Sequence, residues 1–300
     1  MFEFFNEMWS FAFMRRAFVA TAVLSVSATP VGAFLVLRRL SLAGEALAHA
    51  ITPGVVVGFV TAGLSVTALL AGGLIAGIVV ASLSTLLARR TILRGDASLA
   101  SLYLIALAAG IFILSVAGSA VPLGSFLFGS ILGIDNASMI LLGGVATVTL
   151  VAFALMFRPL ILSTCDPAFF ESTTRRPWLV EQGFMLLVVL NLLAAFRTLG
   201  TLMAVGLMIL PATAARYWSN TISRQLGLGF LFALSSCWLG LILSYLLPET
   251  PSGPAIVLVA GGLFLLSALL GPLGFETRLR RRVRAGSGTL AHMRPEGKLP

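Results

Sequence analysis

Residues 15–39 read RRAFVATAVLSVSATPVGAFLVLRR, an uncharged and mostly apolar run, Ala17–Leu37, closed at each end by a pair of arginines. A membrane helix needs about 20 apolar residues to cross a hydrocarbon core of about 30 Å. This run meets that length, and its charged ends would sit at the two interfaces. The Arg-Arg-Ala-Phe-Val start superficially resembles a twin-arginine export signal, but many runs of the same kind follow, so no soluble domain waits behind it. The composition agrees: 58% of the 300 residues are hydrophobic, only 10% are charged, and the mean hydropathy is +1.03. A soluble domain is about 25% charged, so a water-soluble globule is excluded. The expectation is an all-α, polytopic transmembrane helix bundle.

Working outward from the first run, further apolar stretches lie at 47–63, 66–88, 99–117, 137–157, 180–196, 198–218, 226–247 and 254–272. With the first, they predict about eight or nine spans. The stretch 119–135 is apolar but broken by Pro122, Gly124 and Gly129. It is too short to cross, and it reads as a short re-entrant or interfacial helix packed against protein. The 30 glycines run through the spans, as expected where small residues let helices approach closely. Residues 1–275 thus form one transmembrane domain, and 276–300 form a basic tail with no apolar face to bury, expected to be disordered.

Charge sets the orientation. Lys plus Arg number 20 against 11 acids, and all but Lys298 are arginine. So basic a chain would suggest nucleic acid if it were soluble. In a membrane protein, basic clusters mark cytoplasmic loops instead. Arg89, Arg90 and Arg94 mark one such loop; Arg158, Arg175 and Arg176 a second; Arg216 and Arg224 a third; and Arg278 to Arg284 the tail. Alternation puts these on the cytoplasmic side of a bacterial inner membrane, with the segments near Ser119 and Glu249 outside. An odd number of spans then leaves the N-terminus outside, although Arg15-Arg16 opposes Arg38-Arg39 across the first span.

Few residues can carry chemistry. In Ser41-Leu-Ala-Gly-Glu-Ala-Leu-Ala-His-Ala-Ile-Thr-Pro-Gly54, Glu45 and His49 are four apart, on one face of a helix and one turn from each other. A carboxylate and an imidazole so placed can hold a borderline divalent ion. The alternative is an acid near a helix N-terminus, favoured by the dipole, beside an interfacial histidine bonded to a carbonyl. Asp96 and Asp135 look like helix caps, Met203 and Met208 like core filler, and His292 lies in the tail. Cys165 and Cys237 form no metal or disulfide spacing. A P-loop needs a lysine after its glycines, and the single lysine has no such loop, so the chain does not hydrolyse ATP by that route. No G-x-S-x-G or H-E-x-x-H occurs, and an enzyme is not expected. The polar loop 163–178 carries a helix-start signal, Asp166 before Pro167. Its Phe169, Phe170 and Glu171 would either form a docking knob for a soluble partner or, for the two rings, fold back into the interface.

Four segments resemble the permease subunit of bacterial ABC importers for zinc, manganese or iron. Residues 41–54 resemble its Ser-Leu-x-Gly-Asp-Ala-x-Ser-His-Ala-x-x-Pro-Gly signature, and Leu-Gly-Ser-Phe-Leu-Phe-Gly-Ser-Ile-Leu (123–132) its apolar Phe-Gly-Ser segment. The Asp166 loop resembles its coupling helix, and 197–216 its Gly…Leu-Pro-Ala-x-x-Ala-Arg span. The resemblance covers roughly residues 10 to 275. It implies a homodimeric pore without a cofactor of its own, a cytoplasmic ATPase subunit that binds ATP and docks on Asp166, Pro167, Phe169, Phe170 and Glu171, and an extracytoplasmic metal-binding protein. It also implies that Glu45 and His49 meet the metal transiently along the path. Glu45 stands where the family has Asp, and Phe170 and Thr174 where it has small Ala and Gly. The rival readings are a permease for a chelate such as a siderophore or haem, and a gradient-driven secondary transporter. The latter would need intramembrane carboxylates and repeated halves, and neither is evident.

Overall fold

The structure, a computed structural model, describes residues 9–63, 65–92, 95–117, 133–247 and 250–274. The expected helix within 119–135 and the tail 276–300 lie almost wholly or wholly outside them. Ten helices follow one another: α1 (Ala12–Leu37), α2 (Ser41–Ala62), α3 (Val66–Arg90), α4 (Gly95–Val116), α5 (Asn136–Cys165), α6 (Pro167–Thr173), α7 (Pro177–Leu199), α8 (Thr201–Arg216), α9 (Ile222–Leu246) and α10 (Ser252–Leu270). Eight are long and apolar enough to cross a membrane.

The seventh predicted span is shorter than the rest. The run 198–218 is apolar throughout, but Gly200 takes φ +83° and ψ 168°, a conformation open to glycine alone. It separates α7 from α8, and only 16 residues remain for α8, about 24 Å at 1.5 Å per residue. Asp135 caps α5 as expected, its side chain accepting from the Ser138 backbone N–H at 3.0 Å. The sequence places the next helix start near Ser98, after Asp96; α4 begins at Gly95, which puts Asp96 inside it.

Contacts between helix ends show that successive helices run antiparallel. Arg216 at the end of α8 donates to the Val36 carbonyl at the end of α1, 3.2 Å. The Leu273 N–H after α10 donates to the Tyr217 carbonyl, 2.9 Å. Arg38 after α1 reaches Thr164 at the end of α5, 3.2 Å, and Arg89 at the end of α3 pairs with Glu181 at the start of α7, 2.8 Å. One end of the bundle therefore gathers Arg38, Arg39, Arg89, Arg90, Arg158, Arg175, Arg176, Arg216 and Arg224, and α1 starts at the opposite end, as the charge pattern predicted.

Among the eight long helices α1 is the most buried, with 72% of its most apolar stretch inside the protein against 17% for α4. Phe34 anchors it in a ring cluster with Phe153 (centroids 5.2 Å apart), Phe157 (6.3 Å) and Phe184 (6.4 Å). Met203 and Met208 are buried in the same core. Small residues set the helix spacing. A Cβ on Gly54 of α2 would lie 2.0 Å from the Gly72 carbonyl oxygen of α3, and one on Gly32 of α1 would lie 1.8 Å from that of Met208. The outer faces of α4, α5 and α10 present leucine, isoleucine and phenylalanine, as helices facing lipid must.

The α1–α2 turn holds Arg39 at φ 60°. Its N–H donates to Val36 and that of Leu40 to Leu35, at 3.2 and 2.8 Å, the two bonds of a Schellman motif. A non-glycine residue in this region is disfavoured by about 1–2 kcal/mol. Arg39→Gly should therefore raise stability by about 0.5–1 kcal/mol, read as a higher melting temperature in detergent. A lower one would show that the exposed side chain makes up the strain.

Candidate metal path and coupling segment

Residues Ser41 to Gly54 fold as α2 up to and past Pro53, placing Glu45 and His49 on one face, one turn apart. Glu45 is exposed and His49 half-buried. The helix cap is Leu40, with no side-chain cap bond, and Glu45 stands beyond the first turn. His49 makes no hydrogen bond among the described residues; its ring stacks on Tyr103 of α4 instead, 6.0 Å between centroids and 30° between planes. Glu45 thus lies past the first turn, and among the described residues the His49 ring is held by ring packing rather than by a carbonyl.

Between α2 and α4 lies a cleft of about 130 Å³ lined by Leu42, Ala43, Glu45, Ala46, Leu99, Ala100 and Tyr103. It has room for a small ion with several waters, since each water takes about 30 Å³ in the liquid. Glu45 supplies the charge, and Tyr103 contributes a phenol, which like the imidazole can donate or accept a hydrogen bond. Sequence reasoning missed Tyr103. It sits in an apolar run with no motif, and only the packing of α4 on α2 brings it to the pair. Among the described residues no group of three or more His, Cys, Asp and Glu side chains gathers, so one chain offers the pair rather than a closed cage. Asn191, also missed, is buried on α7; its amide donates to Thr149 of α5 at 2.8 Å and to the Leu187 carbonyl at 2.9 Å.

The polar loop 163–178 forms the short helix α6 where the sequence placed a helix start. The Asp166 side chain accepts from the Phe169 N–H at 3.0 Å, and Pro167 fills the first helical position. Neighbouring residues on a helix point about 100° apart, so the two rings separate: Phe170 is 3% exposed and Phe169 52%. Glu171 is exposed as well. Neither sequence reading holds for both rings, since one is an anchor and the other is presented outward. Truncating the anchor leaves a cavity, and Phe170→Ala should cost about 3 kcal/mol or more, whereas Phe169→Ala should leave the melting temperature within a degree or so. Equal losses from both would contradict this division.

A profile of the ABC 3 transport family matches residues 10–271. The chain is 31% identical over 271 residues to the manganese import system permease protein ScaB of Streptococcus parasanguinis, covering 90% of this chain and 95% of that one. It is 30% identical over 279 residues to the zinc transport system membrane protein TroC of Treponema pallidum, covering 90% and 94%. The fold is similar to that in a structure of PsaBC from Streptococcus pneumoniae in complex with Fab, with a TM-score of 0.80, 28% identity, and 93% of this chain and 99% of that chain covered.

Proposed function

This chain belongs to the ABC 3 transport family and is the membrane-spanning permease subunit of an ATP-binding-cassette importer, not its ATPase; we propose that its cargo is a divalent transition metal ion, manganese or zinc before iron. The observation that carries the cargo reading is the Glu45–His49 pair beside Tyr103 on a membrane-length helix. An ionisable pair within a span is costly and marks an ion pathway by default, and carboxylate with imidazole suits manganese, zinc and ferrous iron alike. The relatives for manganese and for zinc support the same choice.

Glu45 also bears on assembly. An exposed carboxylate on a span is not stable against lipid, so the α2–α4 face belongs against a second copy of this chain or against water in a shared pore. Two copies would bring two carboxylate–imidazole pairs to one path, each too sparse to trap an ion, which suits a conduit that must release what it binds. The basic end faces the cytoplasm. There α6 presents Phe169 and Glu171 to a separate ATPase subunit, and the tail beyond α10 starts on the same side. The opposite end receives metal from an extracytoplasmic binding protein.

The test is total cellular metal by elemental mass spectrometry in a strain lacking this gene, grown with limiting metal, with and without a restored copy. Manganese or zinc should fall in the deletion strain and recover with the wild-type copy. Unchanged manganese, zinc and iron, in a strain without a second importer, would overturn the cargo reading in favour of a chelate.

A further inference from the structure

Arg38 and Arg39 close the first apolar run as a pair, but the fold gives them different tasks. Arg39 is exposed, whereas Arg38 is half-buried and turned towards α5. Its Nε donates to the Thr164 hydroxyl at 3.2 Å and its Nη2 to the Ser163 hydroxyl. Its guanidinium carbon lies 4.8 Å from the ring centroid of Phe184 on α7. The two hydroxyls donate onward to the Leu160 carbonyl, at 3.0 and 2.7 Å. Arg38 thereby staples the last turn of α5, the turn that runs directly into Asp166 and α6.

Two features make this staple more than packing. Pro159 stands just before the stapled turn and has no N–H to give the Leu155 carbonyl one turn back, so α5 is weakest immediately before the turn that Arg38 holds from outside. Among the described residues Arg38 makes no ion pair; the ion pair at this end joins Arg89 to Glu181. Burial lowers the Arg38 pKa, and the charge of Glu181 opposes that. A guanidinium held by hydroxyls and a ring is less tightly fixed than one forked onto a carboxylate, so the contact can remake itself. On its other side Arg38 is continuous with the Schellman turn, to which Arg216 is also bonded through the Val36 carbonyl. Ser41 then opens α2, and Glu45 follows one turn later.

We propose that Arg38 is a positioning residue that carries displacement of α6, through the last turn of α5 and the α1–α2 turn, to the start of α2, and so sets Glu45 and His49. A bonded route from the last turn of α5, next to α6, to the start of α2 runs through this one side chain. The proposal rests on the reading above, in which α6 receives the ATPase.

The test uses the whole importer, permease with its ATPase subunit and binding protein, in lipid vesicles, with radioactive manganese uptake and ATP hydrolysis measured on the same preparation. Arg38→Gln and the double variant Ser163→Ala/Thr164→Val should each lower manganese moved per ATP by at least about fivefold, with assembled complex and hydrolysis within about twofold of wild type. Joining all three changes should lower the ratio no further than Arg38→Gln alone, because they break one contact. A wild-type ratio in Arg38→Gln, losses that multiply, or uptake and hydrolysis falling together with the amount of complex would overturn the proposal. Wild-type vesicles that accumulate neither manganese nor zinc would instead bring down the cargo reading on which it stands.

Discussion

Gly54→Leu is expected to leave no folded permease, and even Gly54→Ala to lower the melting temperature more than any other single methyl added to this bundle except one at Gly32. The reason is the reciprocal fit of α2 and α3. A Cβ on Gly54 would meet the Gly72 carbonyl oxygen at 2.0 Å, and one on Gly72 would meet the Gly54 carbonyl oxygen at 2.2 Å. Gly58, one turn on, meets the Ala68 carbonyl oxygen at 2.4 Å. Backbone faces backbone along this seam, so no side-chain rotation relieves the clash. Non-bonded atoms sit at about 3.5 Å, which means the helices would have to part by about 1.5 Å. In a membrane, helix association depends on close packing rather than on hydrophobic expulsion. Parting the seam therefore forfeits the main force holding it, more than the roughly 1–3 kcal/mol usual for an overpacked core. The comparison is Gly261→Ala, on an outer face where an added Cβ meets nothing within 4 Å. Size-exclusion profiles and melting temperatures in detergent decide the matter. Similar behaviour of Gly54→Ala and Gly261→Ala would show that the seam is not what holds α2 to α3.

The distinction between those glycines marks where sequence stops being informative. Composition and the lengths of apolar runs suffice for a helical membrane bundle, because no other spanning structure satisfies its own backbone within each segment. They do not say which face of a span meets another helix and which meets lipid, since both faces are apolar. The seventh run is shorter as a helix than as an apolar stretch for a related reason: hydropathy sums side chains, while the break at Gly200 is a backbone event. Spacing makes Glu45 and His49 legible, because four residues is one helical turn. Tyr103 enters only when α4 packs on α2. Arg38 and Arg39 are indistinguishable in sequence and read as headgroup partners, yet the left-handed φ at Arg39 turns one outward and leaves the other facing Ser163 and Thr164. Phe169 and Phe170 divide in the same way, by the helical step between neighbours rather than by any difference in chemistry.

Metal uptake should fall by at least about tenfold in either Glu45→Gln or His49→Ala, taking the lower bound of what a lost metal-orienting group costs elsewhere, while the amount of folded protein stays unchanged. Glu45 lines the cleft and His49 stands one turn on, its ring against Tyr103; neither makes a hydrogen bond or ion pair with the described residues, so their loss should disturb packing far less than the Gly54 changes do. Gln keeps the shape and removes the charge. It therefore separates attraction of a cation from mere occupancy of the cleft. Glu45→Asp asks a different question. Asp restores the residue that the family signature carries and withdraws the carboxylate by one methylene. If Glu45 reaches the ion directly, this change should retain uptake but alter the ratio of manganese to zinc transported, because manganese accepts oxygen-rich, hydrated surroundings more readily than zinc does. Competition of the two ions for uptake into vesicles holding the complete importer reads that ratio. Tyr103→Phe, which keeps the ring on His49 and removes the hydroxyl, tests whether the phenol belongs to the path or only supports the imidazole. Uptake at the wild-type rate in Glu45→Gln would remove the pair from the path, because an uncharged amide cannot replace a carboxylate in drawing a divalent ion out of water.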